Sequence, residues 1–306
     1  MGTTPDVNVI GTVGVWHGGA FAANPTGLLR DAASEIEDLG YGSLWMAEAL
    51  SKDVFALSAI VLAATEQIVV GTGIANVWAR GAATAYGGAQ TLAEAYEGRF
   101  VLGLGVSHQP LAHARGQSYE KPLAVMRSYL EAYENAPYHG PRPGQRPRLV
   151  LAALRRRMLE LARDKTDGAH PYFVPTDHTA RAREVLGSGP LLIPEQAVVL
   201  ESDPERARQI ARHHTSSYLR MDNYANSLRE LGFTEQDLAD GGSDRLVDAI
   251  VAWGSVDRIR DRVREHLDAG ANHVLIQPLD SPGGNGLALG QLRELAPALV
   301  HLGPSS

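Results

Sequence analysis

Apolar runs of strand length alternate along the chain with stretches whose apolar residues recur at helical spacing. Eight runs read as strands, at residues 9–16, 43–47, 68–75, 100–105, 148–153, 167–170, 191–200 and 272–277. Between the first two, Asn24 and Pro25 mark a helix start, with Asn24 as cap and Pro25 at the first helical position. Leu28, Leu29, Ala32, Ala33, Ile36 and Leu39 then form one apolar stripe, and Gly40 closes the helix. Further helices are predicted over 54–66, 82–96, 122–135, 156–163, 179–186, 255–269 and 289–302. Another begins after Asp203 as cap, and Gly270 ends the helix before the last strand.

Strands that each lead into a helix argue for a parallel sheet, and right-handed crossovers close eight of them into an α/β (β/α)₈ TIM barrel. A doubly wound open sheet is the competing architecture. It would normally carry a G-x-G-x-x-G turn after the first strand, where Trp16-His17-Gly18-Gly19 stands instead. Two segments interrupt the rhythm, at about 107–147 and 222–254. The first ends in a proline-rich stretch at 136–147 that reads as an insertion loop rather than a linker, because a strand follows at once. The second reads as extra short helices and loops. The whole of 1–306 is therefore expected to be one barrel domain, a length usual for this fold, which runs at about 250 residues before insertions.

Composition narrows the function classes. The chain has 306 residues, is 44% hydrophobic and 21% charged, and carries a net charge of −7. That charge argues against nucleic acid and against anionic membranes as partners. With no cysteine, thiolate metal sites and cysteine nucleophiles are excluded. Residues 1–8 lack the basic and apolar regions of a signal peptide, and no apolar run nears the roughly 20 residues of a membrane span. A cytoplasmic protein acting on a small molecule is the expectation. No metal is expected either, since neither H-E-x-x-H nor paired strand histidines occur. A G-x-S-x-G elbow and a Walker loop are also absent, and the two facing carboxylates of a glycosidase are not both supplied.

In such a barrel, chemistry sits at the carboxyl ends of the strands. His17 follows the first strand and is either a general acid or base or a residue ordering the turn. Glu48 follows the second, as a ligand-facing carboxylate or a salt-bridged rim acid. The third strand carries Gly71 and Gly73, then Asn76 and Arg80. Glycine inside a strand marks a bulge or the close approach of a ligand to the backbone. After the fourth strand, Gly105 frees the backbone to approach a planar ligand, beside Ser107 and His108. After the fifth, Arg155, Arg156 and Arg157 open a helix whose free N–H groups suit a phosphate, or form a solvated basic turn.

The run GTGIANVWARGAATAYGGAQTLAEAYEGRFVLGLGVSH at 71–108 resembles the luciferase-like oxidoreductases. So do LGYGSLWMAEAL at 39–50, DGAHPYFVPTDHT at 167–179 and REHLDAGANHVLIQPL at 264–279. The texture is similar to the actinobacterial branch that uses the deazaflavin coenzyme F420; other branches use reduced FMN. The resemblance implies a luciferase-type (β/α)₈ barrel, often a homodimer, with an insertion after the fourth strand. It also implies a cis peptide at Gly73–Ile74 forming a bulge against the cofactor ring, Glu48 and Asn76 near that ring, and Gly105, Val106 and Ser107 beside the cofactor tail. Two positions depart from the pattern. Ala49 stands where some deazaflavin enzymes place a histidine, which moves proton transfer to His17 or His108. Arg155 and Arg156 replace a Gly-Pro pair near the phosphate. The function implied is hydride transfer between F420 and a carbonyl, alcohol, imine or activated alkene. An FMN-dependent monooxygenase and a non-catalytic deazaflavin-binding protein are the alternatives.

Overall fold

The computed structural model describes residues 10–280 and 284–305, so residue 9 of the first predicted strand lies outside the described residues. Eleven strands form one sheet: β1 (Val13–His17), β2 (Ser43–Met46), β3 (Val69–Thr72), β4 (Ala75–Asn76), β5 (Phe100–Gly105), β6 (Arg148–Leu151), β7 (Gly168–Ala169), β8 (Leu191–Leu192), β9 (Glu195–Val199), β10 (Val251–Trp253) and β11 (Val274–Pro278). Among the described residues every ladder is parallel. Their order is β10-β9-β11-β1-β2-β3-β5-β6-β7-β8, with β4 pairing β5.

The sheet curls into a barrel through the segment 191–199. Its Ile193 N–H donates to Ala169 O at 2.9 Å on one side, while Leu192 O and Pro194 O accept from Asn272 and Leu275 N–H on the other, both at 2.9 Å. The run read as a seventh strand is thus two pieces, β8 and β9, broken at Ile193-Pro194, since proline donates no ladder hydrogen bond. β10 is a correction to the reading of 222–254. That segment holds helices, including Asp244–Ile250, but ends in a strand paired to β9.

Helices cover the outside. Thr26–Asp38 buries Leu29, Ala32, Ala33 and Ile36 of the predicted stripe, but leaves Leu28 exposed, and Gly40 adopts φ +89° after it. Its N-cap is Pro25 rather than Asn24. Asp203 caps Pro204–Tyr218 as expected, accepting from Arg206 N–H at 2.8 Å. Among the described residues, no helix is long and apolar enough to cross a membrane.

The strand glycines have a packing cause. A Cβ on Gly71 would lie 2.3 Å from the ring of Trp45, a fully buried indole that fills the barrel interior. The close approach at Gly71 is therefore made by a core side chain, not by a ligand. Trp45 is the neighbour of Gly71 across the β2–β3 ladder, so the pair is fixed by register.

Candidate functional site

At the carboxyl ends of the strands a cavity of about 740 Å³ opens. Its floor is set by β3 and β4. The chain turns between them at Gly73 and Ile74, and the peptide bond joining these two is cis. Trp16 lies against this bulge, its indole N–H donating to Gly73 O at 3.0 Å. Ile74 faces the cavity with Val106, Ala152, Leu154 and Met158, which makes an apolar surface. Gly105 does not line the cavity. A Cβ there would meet the Ile74 side chain at 2.6 Å and Ala152 Cβ at 3.1 Å, so this glycine makes room for Ile74.

Glu48 lines the cavity, but its carboxylate is already engaged. Oε2 accepts from Asn76 N–H at 2.7 Å and from Arg80 at 2.7 Å, and Oε1 accepts from the second Arg80 nitrogen. Arg80 also donates to Asp53 at 2.7 Å. Burial of the guanidinium disfavours its charge, yet the two carboxylates outweigh this and hold its pKa above the ordinary value. Glu48 therefore ties the segment after the bulge to the end of β2. Asn76 is fully buried and off the cavity. Its Oδ1 accepts from Trp78 N–H at 3.0 Å, and its Nδ2 has no partner among the described residues.

The two candidate proton-transfer histidines separate. His17 is the neighbour of Trp16 on β1, so the strand alternation turns it out of the cavity. Its ring stacks on Phe21 at 5.0 Å, and burial pushes its pKa down to about 4. His108 lines the cavity, with Nδ1 3.2 Å from Asn223 Oδ1 and Nε2 3.4 Å from the Tyr224 hydroxyl. Burial lowers its pKa, against the opposing hydrogen bond that its ring N–H donates to Asn223. Val106 and Ser107 line the cavity as well, Ser107 with φ +56°.

The basic side of the cavity is displaced by one residue from the sequence reading. Arg155 and Arg157 line it, together with Lys121, whereas Arg156 points away and pairs with Glu160 at 2.9 Å. Arg155 caps the helix Arg156–Lys165, whose first N–H groups face the same end. Of the positions read from sequence, Glu48, Gly73, Ile74, Val106, Ser107, His108 and Arg155 meet at the cavity; His17, Asn76, Gly105 and Arg156 do not.

His170 and Tyr172 are cavity residues that the sequence reading passed over. They extend β7 by two-residue alternation, which was the available signal. His170 sits 3.2 Å from where a Gly73 Cβ would be, and burial drives its pKa down to about 4. Its Nδ1 is 2.7 Å from Ile193 O, so that nitrogen carries the proton and Nε2 is bare. Tyr218 and Tyr224 reach the cavity from two later helices, Pro204–Tyr218 and Asp222–Glu230.

A family model described as luciferase-like monooxygenase matches residues 12–273. The chain belongs to this family. A curated relative, the 5,10-methylenetetrahydromethanopterin reductase of Methanolobus tindarius, is 24% identical over 298 residues, covering 83% of this chain and 90% of the relative. Among solved structures, an F420-dependent secondary alcohol dehydrogenase in complex with an F420–acetone adduct superposes with a TM-score of 0.74 at 14% identity, covering 94% of this chain and 99% of that one. The oxygenating constituent of 3,6-diketocamphane monooxygenase from Pseudomonas putida, a type II Baeyer-Villiger monooxygenase in complex with FMN, gives 0.70 at 16% identity, covering 97% and 100%. The family fold is the barrel expected from the sequence.

Proposed function

We propose that this luciferase-like chain is a coenzyme F420-dependent oxidoreductase that passes a hydride between the deazaflavin and a small organic substrate. The observation that carries the reading is the Ile74 surface facing a cavity with a cationic side. A flat tricyclic ring suits the apolar part, and an anionic tail suits Arg155, Arg157 and the helix start at Arg156. Gly105 adds the fit, because it is the missing Cβ that lets Ile74 sit where it does. Bound there, reduced F420 supplies the two electrons and the hydrogen. The chain's own residues orient the ring, exclude water through Val106, Leu154 and Met158, and hold the bulge rigid through the Glu48–Arg80 clamp.

FMN-dependent monooxygenation is the second reading, since an FMN enzyme shares the fold. Titration of the purified protein with F420 and with FMN, followed by absorbance and fluorescence, separates the two. Micromolar binding of F420 alone is expected. Binding of FMN alone would favour the monooxygenase, and binding of neither would remove both readings. F420 binding with no turnover of any carbonyl, alcohol, imine or alkene would leave a carrier.

Gly105→Ala tests the surface itself. Its new methyl displaces Ile74 toward the ring; overpacking of this kind costs the fold about 1–3 kcal/mol, and each 1.4 kcal/mol of it that falls on the bound ring is about tenfold in affinity. A weaker F420 dissociation constant is expected, together with a melting temperature lowered by the few degrees that such overpacking costs. Unchanged affinity would place the ring elsewhere.

A further inference from the structure

Among the described residues, no histidine at this cavity presents it with a free N–H. Position 49 is Ala49, His17 faces out of the cavity, and His170 presents a bare nitrogen because its proton is spent on Ile193 O. Both nitrogens of His108 are occupied by Asn223 and Tyr224. The Trp16 N–H is fixed on Gly73 O by its rigid ring, unlike a hydroxyl proton, which can turn between acceptors.

Next to Trp16 stands Tyr172, with ring centroids 4.6 Å apart. Its hydroxyl oxygen lies 2.8 Å from the Tyr218 hydroxyl and 2.9 Å from Gln277 Oε1. A phenol has one proton and an amide oxygen has none. Tyr172 therefore donates to Gln277, and Tyr218 donates to Tyr172. The hydroxyls form a directed chain running from half-buried Tyr218 to Tyr172, both of which line the cavity. Beneath them lies the Glu195 carboxyl, almost fully buried, with Oε2 accepting from Phe173 N–H at 3.1 Å and Oε1 without a partner among the described residues. Burial, then the neighbouring tyrosine and Glu195 groups, raise the Tyr172 pKa well above its ordinary value, so the phenol keeps its proton until a strong base asks for it.

We propose that Tyr172 is the catalytic acid of this site and that Tyr218 replenishes it, which makes the substrate a ketone, aldehyde or imine. This rests on the F420 reading. The carbonyl carbon would gain a hydride, two electrons and one hydrogen, from the reduced deazaflavin, whose ring N–H proton would pass to solvent as it becomes oxidised. As the C=O π bond breaks, the oxygen takes the proton of Tyr172 after rotation about its Cζ–Oη bond. Tyr172 recovers a proton from Tyr218, and Tyr218 from water. From a carbonyl the product is an alcohol; run backward, the same chain accepts the alcohol proton. An isolated alkene offers no heteroatom to this donor.

The test uses two readouts. Acetophenone with an isotope-labelled carbonyl is bound to the cofactor-free protein, and its carbonyl stretch is recorded by infrared difference spectroscopy. A hydrogen bond from Tyr172 moves the stretch to lower wavenumber, and Tyr172→Phe should abolish that displacement. In parallel, reoxidation of reduced F420 by acetophenone is followed. Tyr172→Phe should lower kcat by about 100-fold or more, the usual worth of a general acid, while F420 affinity stays the same. Tyr218→Phe should retain the displaced stretch, slow turnover less, and alter the solvent isotope effect, which a packing role would not do. A stretch identical in wild type and Tyr172→Phe, no bound carbonyl at all, or turnover indifferent to Tyr172 would each overturn the proposal. F420 binding with any of these results sinks the tyrosine assignment alone; failure to bind F420 sinks the cofactor reading, while the infrared experiment still reports on Tyr172.

Discussion

Acidification from pH 6.5 toward 4 is expected to unfold this protein cooperatively, before pH 4 is reached. His17, His170, His266 and His273 are all buried to 2% exposure or less. Burial lowers the pKa of the first two and of His273 to about 4, and that of His266 to about 3, from 6.5. The partners agree with neutral rings. His266 lies between the Thr179 hydroxyl and Gln196 Oε1, and His273 between the Ser43 hydroxyl and Gly11 O, so each has one nitrogen donating and one accepting. Between pH 6.5 and 4 the unfolded chain binds these protons and the native chain does not, so stability falls as pH falls. Each depressed histidine is worth about 3 kcal/mol over that window. Four of them reach the whole stability of a typical domain, about 5–15 kcal/mol. Glu195 works in the opposite sense. Its pKa is raised to about 8 by burial, against the Phe173 N–H bond, so its contribution is present below 4.5 and lost as pH rises through 8. One carboxyl against four histidines leaves acid as the larger hazard and places the optimum between about 6.5 and 8. Circular dichroism and tryptophan fluorescence against pH would check this, and His273→Asn should flatten the slope of stability between pH 6.5 and 4 by about one proton. A stability independent of pH across that window would contradict the account.

The barrel was readable because its signals are local. An uninterrupted apolar run such as Phe100–Gly105 has the same bounds in sequence and structure. What failed was short or non-local. β10 is three residues directly after a helix whose Leu246, Val247 and Ile250 dominate the local pattern. At the first strand, choosing between Trp16 and His17 needed the register, which the Trp16–Trp45 pairing sets and neither residue announces. Polar residues at strand ends could be placed at the rim, but not told apart as clamp or ligand, because that depends on partners far along the chain. Glu48 meets Arg80 across 32 positions, and Tyr172 meets Tyr218 across 46 and Gln277 across 105. The site's hydroxyl chain is a product of closure, and no window of sequence contains it.

Removing Arg80 should be the most damaging single change at the site. The Glu48 and Arg80 side chains are 4% and 9% exposed, and they are joined bidentately. Arg80→Met leaves the Glu48 carboxylate buried with only the Asn76 N–H, and stranding a buried charge in this way costs about 3–5 kcal/mol. It also forfeits the stacking of the guanidinium over Phe55, 4.8 Å from the ring centre. Glu48→Gln keeps the shape and an oxygen for Asn76, and it leaves Arg80 the Asp53 carboxylate, so its loss should be smaller. Because a buried pair gains little over apolar groups of the same size, Glu48→Met combined with Arg80→Met should recover much of what Arg80→Met alone loses. Denaturant unfolding of Glu48→Met, Arg80→Met and their double variant measures this cycle, with Glu48→Gln beside them, and F420 titration measures its consequence. If Glu48 acts by tying residues 76–80 beneath the bulge, Arg80→Met should lose cofactor affinity in step with stability, and the double variant should regain both. If instead Glu48 touches the ring directly, the double variant would regain stability and stay unable to bind. Arg80→Met within about 1 kcal/mol of wild type would show that the clamp holds nothing, since surface ion pairs are worth no more than that.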